Sequence, residues 1–268
     1  MSEELINKVL AEVVKKMGGD DPAPSATPAP APTPAAGTLP AVTEFVGTNV
    51  LGDTIGMVIA NVDPKLRAMM KLEKDFRSIG ILGARTGAGP HIFAADEAVK
   101  ATNSEILTIE LPRDTKGGAG HGSLIIFGAE DVSDARRAVE VSLGELDRTF
   151  GDVYGNDAGH LEFQYTARAS YALNKAFGAP IGKAFGITVG APAGIGVVLA
   201  DTAVKAATVD VIGYASPAGG TSYSNEVISF LSGDSGAVRQ AIIAAREVGI
   251  PLLGALGAKP ESTTTPYI

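Results

Sequence analysis

The sequence contains no cysteine and no tryptophan. Without cysteine there is no disulfide framework and no thiolate metal ligand, so secreted disulfide scaffolds and zinc ribbons are set aside and a cytosolic setting is expected. Charge is also sparse. Charged residues make up 19% of the chain, below the roughly 25% usual for soluble domains, and such a surface suits burial in an oligomer, although a glycine-rich α/β enzyme would share it. The balance of 22 basic against 30 acidic residues leaves no electrostatic footprint for a phosphate backbone or an anionic membrane, so nucleic acid and membrane partners are not expected. No apolar run approaches the ~18 residues needed to span a bilayer, and Met1-Ser2-Glu3-Glu4 lacks the basic start of a signal peptide.

What is present is apolar residues at 45%, 33 glycines and 16 prolines in 268 residues, enough to fill the cores of two ordinary domains. Near the start, Leu5, Ile6, Val9, Leu10, Val13, Val14 and Met17 recur three and four apart, with acids early and lysines late. That spacing predicts an amphipathic helix within residues 1–17. Residues 18–41 follow with Pro22, Pro24, Pro28, Pro30, Pro32, Pro34 and Pro40 among alanine and threonine, which reads as an extended linker reaching on the order of 60 Å. A helix this short is marginal alone, so its apolar stripe calls for a partner surface, either another protein or the chain's own body.

Beyond residue 41 the sequence repeats. Ala95-Asp96-Glu97-Ala98-Val99-Lys100-Ala101 returns as Ala200-Asp201-Thr202-Ala203-Val204-Lys205-Ala206, displaced by 105 (201 − 96). Asp131-Val132-Ser133-Asp134-Ala135-Arg136 returns as Asp234-Ser235-Gly236-Ala237-Val238-Arg239, displaced by 103 (239 − 136). Each half is expected to run strand (79–82; 185–189), helix (92–102; 197–207), strand (106–111; 209–215), long loop, strand (123–127; 226–231) and helix (133–146; 236–248). The fold class expected is α/β, as two α+β sandwich domains over residues 42–155 and 156–268.

Gly83 to Pro90 joins a strand to a helix, as a dinucleotide site does, but has neither G-x-G-x-x-G spacing nor a P-loop lysine, so its glycines read as packing and turning. His91, His121 and His160 are scattered, with no H-x-x-x-H pair and no G-x-S-x-G elbow. No catalytic residue, metal site or cofactor is expected. A nucleotide- or small-molecule-binding enzyme using that turn stays as the alternative. The two loops between the second and third strands are unusually long: Pro112 to Gly122, with Arg113, Asp114, Thr115, Lys116, Gly117, Gly118 and His121, and Ser216 to Asn225, with Gly219, Gly220, Thr221, Ser222 and Tyr223. Small polar residues clustered in this way suit contact with small polar solutes, as in a pore lining; ordinary surface loops are the other reading.

The helix-to-strand segment Ala200-Asp201-Thr202-Ala203-Val204-Lys205-Ala206 followed by Val209-Asp210-Val211-Ile212-Gly213-Tyr214, and the helix entry Ser232-Gly233-Asp234-Ser235-Gly236-Ala237-Val238, resemble the signatures of bacterial microcompartment shell domains. Both recur more weakly in the first half. The doubling resembles the tandem-domain shell proteins, and the stretches 43–47, 77–91 and 267–268 are similar to those of propanediol-utilisation compartments. The resemblance implies a structural, non-enzymatic homotrimer of pseudo-hexagonal outline, located in a compartment shell in the cytoplasm and meeting other shell proteins. It implies that Lys100 and Lys205 lie at the tile edge and that the two long loops occupy pore-loop positions passing metabolites of the 1,2-propanediol and glycerol class. The apolar stripe of the first helix is separately expected to bind encapsulated enzymes or other partners in the shell lumen. The resemblance also implies circular permutation, with residues 45–72 and 160–177 as the displaced pieces. The family's Pro-Arg-Pro edge segment and short Gly-Ser-Gly pore motif have no match.

Overall fold

Alternating apolar residues, bounded by Gly and Asn, set up hairpins at the start of each half. A computed structural model describes residues 42–72, 74–113, 121–218 and 225–268. The helix expected in residues 1–17 and the linker at 18–41 lie outside the described residues.

The first domain opens with β1 (Phe45–Asn49) and β2 (Thr54–Ile59), then α1 (Pro64–Met70). The Asp63 carboxylate caps α1 by accepting the N–H groups of Lys65 and Leu66 at 2.9 and 3.1 Å. β3 (Ser78–Ala84), α2 (Ala88–Ala101), β4 (Glu105–Glu110), β5 (Ser123–Ala129) and α3 (Val132–Thr149) complete it. The second domain repeats this order with β6 (Val153–Asn156), β7 (Gly159–Thr166), α4 (Tyr171–Phe177), β8 (Ala184–Ala191), α5 (Ala193–Ala206), β9 (Asp210–Ala215), β10 (Val227–Gly233) and α6 (Ser235–Gly254), and adds a short β11 (Glu261–Ser262).

The strands form two antiparallel sheets, ordered β1-β2-β3-β5-β4 and β11-β6-β7-β8-β10-β9. Residues 155 and 156, where the domains were expected to divide, both pair within the second sheet, Gly155 with His160 and Asn156 with Gly159. Strand β6 thus pairs within the second sheet, and its hairpin starts ahead of residue 160. Helices α2 and α5 begin four residues before the expected 92 and 197, because the glycine-rich turns are already helical. Helix α6 continues past 248 and carries Pro251 inside its end, where one missing N–H costs little and Ala255 N–H still reaches the Pro251 carbonyl at 3.0 Å.

The repeat is visible in the packing as well. A Cβ on Gly80 would lie 2.6 Å from the Ala135 carbonyl, and one on Gly186 would lie 2.9 Å from Ile242, so each domain uses a bare backbone to bring its third helix onto its central strand. The second domain has its own core of Leu161, Phe163, Leu199 and Ile242. The largest core is shared by both domains: Leu82, Ile92 and Phe93 of the first meet Phe185, Ile187 and Phe230 of the second. Phe93 stacks on Phe185 at 5.9 Å and Phe177 on Phe230 at 5.0 Å. At roughly 1.5–3 kcal/mol for each fully buried large apolar side chain, this shared core binds the domains into one unit.

Candidate functional site at the loop bases and helix faces

The bases of the two long loops converge on one place. Gly122 N–H donates to the Pro112 carbonyl at 3.0 Å and Ala88 N–H to the His121 carbonyl at 2.9 Å, tying the first loop to the start of α2. In the second loop, the Asn225 side chain accepts the N–H of Ala193, the first residue of α5, at 3.2 Å, and the Ser216 hydroxyl accepts Ala218 N–H at 3.4 Å. Arg113 and Asn225 are exposed and His121 is buried. The expected pore-loop residues Asp114, Thr115, Lys116, Gly117, Gly118, Gly219, Gly220, Thr221, Ser222 and Tyr223 lie outside the described residues.

Beneath these bases is a group of ionisable side chains. Glu226 is buried; one carboxylate oxygen lies 3.2 Å from His160 Nε2 and the other 3.7 Å from His121 Nδ1. Glu162, two residues along β7 from His160, is buried as well, and its Oε1 has no hydrogen-bond partner. Burial, reinforced by the charge of Glu226, pushes the Glu162 carboxyl up to about 8. A cavity of about 40 Å³ lies among His121, Glu162, Glu226, Ile187, Val189 and Phe230, with room for roughly two or three waters.

His121 was expected here as a loop residue. Glu162, Glu226 and His160 were not, and the one signal for two of them is the alternation His160-Leu161-Glu162-Phe163-Gln164. Alternation of that kind ordinarily marks a solvated sheet face, whereas the structure buries this one.

The turn at Gly87 to Gly89 offers no phosphate cradle. A Cβ on Gly87 would enter the Phe150 ring, and one on Gly89 would collide with the Glu162 carboxyl group, so both glycines serve close packing beside an acid. Among the described residues no group of His, Asp and Glu is arranged to hold a metal ion, and no helix is long and apolar enough to cross a membrane.

The lysines Lys100 and Lys205 occupy equivalent positions in unlike surroundings. Asp96, its side chain 1% exposed, accepts the N–H groups of Ser170 and Leu173 at 3.0 and 3.2 Å, and so caps α4 of the second domain. Lys100 reaches Asp96 at 2.8 Å and Glu97 at 2.9 Å and is 25% exposed. In α5, Asp201 is 57% and Lys205 73% exposed, and the two pair with each other at 2.7 Å. The apolar neighbours differ in the same sense: Phe93 is 2% exposed and its repeat-mate Val198 42%.

A BMC domain model matches residues 78–156 and again 184–257. The chain belongs to the BMC domain family. The BMC chain is 62% identical to the bacterial microcompartment shell protein PduB of Citrobacter freundii, over 100% of its own length and 99% of that relative. Among solved structures it is similar to a trimeric bacterial microcompartment shell protein PduB, with 54% identity and a TM-score of 0.82 over 85% of this chain and 100% of that one. EtuB from Clostridium kluyveri is similar at 57% identity and a TM-score of 0.81, with the same coverage. The two sandwiches are thus tandem BMC domains, and the BMC chain is a structural shell protein rather than an enzyme.

Proposed function

We propose that the chain closes into a homotrimer, a pseudo-hexagonal tile of six BMC domains that packs with other tiles into a microcompartment shell in the cytoplasm. The observation that carries this is the unequal cover of the repeated helices. Inside the chain, α2 of the first domain is roofed by α4 of the second, with Leu173 fully buried against it and Asp96 capping the roof helix. The equivalent face of α5 leaves Val197, Val198 and Val204 exposed, and α1, which corresponds to α4, leaves Leu66 and Met69 exposed. One copy's α5 therefore lacks the cover that another copy's α1 can supply. A head-to-tail contact of this kind closes into a ring when its rotation matches the one already built between the two domains.

The loops at 112–122 and 216–225 are assigned as pore loops for small polar metabolites of the 1,2-propanediol and glycerol class, supported by their small, polar composition and by the approach of their bases at His121 and Glu226. Lys100 and Lys205 are both assigned to the tile edge, supported by their matching places in the repeated helices. Residues 1–17 are assigned to holding encapsulated enzymes, on the strength of their amphipathic spacing. Electron microscopy of the purified protein is expected to show hexagonal sheets that Lys205→Glu weakens while the trimer persists; unchanged sheets in that variant contradict the edge assignment. Removal of residues 1–41 is expected to leave the trimer intact and release the enzyme core in pull-downs; full retention contradicts the helix assignment.

A further inference from the structure

Residues paired across neighbouring antiparallel strands point to the same face of the sheet. That places Ile55, Gly83 and Leu124 in one row of the first sheet and Met57, Ile81 and Ile126 in the next. In the second sheet the same two rows hold Glu162, Val189 and Ile228, then Gln164, Ile187 and Phe230. Gly56 and Gly80, on the opposite face of the first sheet, lie against α3, so the rows look away from that helix.

The two faces differ in their cover. In the second sheet the rows are roofed by α2 of the first domain: Phe93 stacks on Phe185, and a Cβ on Gly89 would lie 2.9 Å from the Glu162 carboxyl carbon and 3.1 Å from Ile187. Glu162, Gln164, Ile187 and Val189 are buried beneath it. In the first sheet Ile55 is 37% exposed, Met57, Ile81, Gly83 and Leu124 are half-buried, and of the two rows only Ile126 is buried. The helix that would complete the repeat is α5, where Gly194 is the repeat-mate of Gly89 (194 − 89 = 105). Gly194 is exposed, and a Cβ there would meet nothing within 4 Å. Helix α5 is held on its own domain, with Gly196 close against Gly190 and Val227. The chain thus carries a seat without its helix and a helix without its seat.

We propose that the open face formed by Ile55, Met57, Ile81 and Leu124 seats the first turn of α5 from another copy of the chain, with Gly194 at the point of closest approach. This rests on the homotrimer reading and deepens it: beside the α1 cover, it names the sheet on which α5 lies and the residue that permits the approach. An exposed glycine weakens a helix relative to alanine, and the contact between copies supplies the reason for it. In the junction within the chain, the glycine backbone comes up against Glu162 and Ile187, whose places in the first sheet are taken by Ile55 and Ile81. A side chain at 194 would have to displace them. Because Ile55 stands where the inner junction has Glu162, the seat is apolar, and covering it favours association without burying an acid.

Sedimentation equilibrium of the full chain reads the seat, with circular dichroism as the control for folding. Gly194→Leu is expected to leave the single chain folded and to raise the concentration at which half the chains are assembled by about tenfold or more, the scale of overpacking a fitted contact. Ile55→Lys is expected to act in the same way from the opposite side. Adding Ile55→Ala to Gly194→Leu is expected to recover part of the loss, since it returns the space that the leucine takes. An unaltered chain that is trimeric, with both single variants assembling equally well, overturns the seat and leaves the homotrimer standing. An unaltered chain that stays single overturns both. Should Gly194→Leu misfold, Ile55→Lys decides, and unchanged assembly of that variant overturns the seat.

Discussion

Helices α2 and α5 share the frame Ala-Asp-x-Ala-Val-Lys-Ala, yet one lies in the interior of the molecule and the other on its surface. The same Asp and Lys form a buried helix cap in the first domain and an exposed i,i+4 pair in the second, where such pairs are worth only ~0.3–0.5 kcal/mol. The local pattern sets the helix, while the neighbour laid over it sets what each residue does. For α2 the neighbour is α4 of the same chain, and for α5 the proposed neighbour is α1 of another copy.

The comparison is broken most severely at the first-domain junction. Phe93→Ala removes a ring stacked on Phe185 and is expected to cost about 3–5 kcal/mol in urea unfolding, and Asp96→Ala, which strips the cap from α4, about 1–2 kcal/mol. Val198→Ala and Asp201→Ala are expected to change the fold of a single chain by less than about 1 kcal/mol. Equal losses at the two sites remove the distinction. The Asp96 pair is not itself a large net gain, because burial pushes the Asp96 carboxyl up in spite of Lys100 and the N–H donors.

Next in size is an acid sensitivity confined to the first domain. His91 is fully buried, with Nδ1 2.5 Å from the Gly87 carbonyl and Nε2 2.6 Å from the Thr54 hydroxyl; its repeat-mate is Gly196. Burial lowers its pKa from 6.5 to about 4. Between those values the unfolded chain binds a proton that the folded chain refuses, so this contribution is complete above about pH 6.5 and about 3 kcal/mol is lost as pH falls to 4. Urea midpoints across that range are expected to drop in the unaltered chain and to stay flatter in His91→Gln.

The lysines give the smallest effects. Lys100→Glu sets a carboxylate against buried Asp96 and is expected to cost about 2 kcal/mol, whereas Lys205→Glu on the open face should stay within about 0.5 kcal/mol. Thermal melts of the two variants side by side would show the gap.

Much of the fold was legible in the sequence because the 105-residue displacement aligns strand with strand and helix with helix, and Gly80 and Gly186 recur where helix meets strand. The helix starts were missed because Gly89 and Pro90 read as a turn although both fit a first helical turn. The site was less legible. Covering elements such as α4 lie about 70 residues from what they cover, and spacing carries no record of that contact. Nothing in the alternation of β7 tells that α2 and the shared aromatic core close over its polar face. Lys100 and Lys205 looked alike for the same reason.

In the proposed trimer, the junction within one chain is the template for the junction between chains. Sedimentation equilibrium of the full chain and of Val198→Asp at physiological salt tests it most directly. Three times the 27.3 kDa chain mass is expected for the unaltered protein and a single folded chain for the variant. A monomeric unaltered protein, or a Val198→Asp variant that remains a trimer, contradicts it.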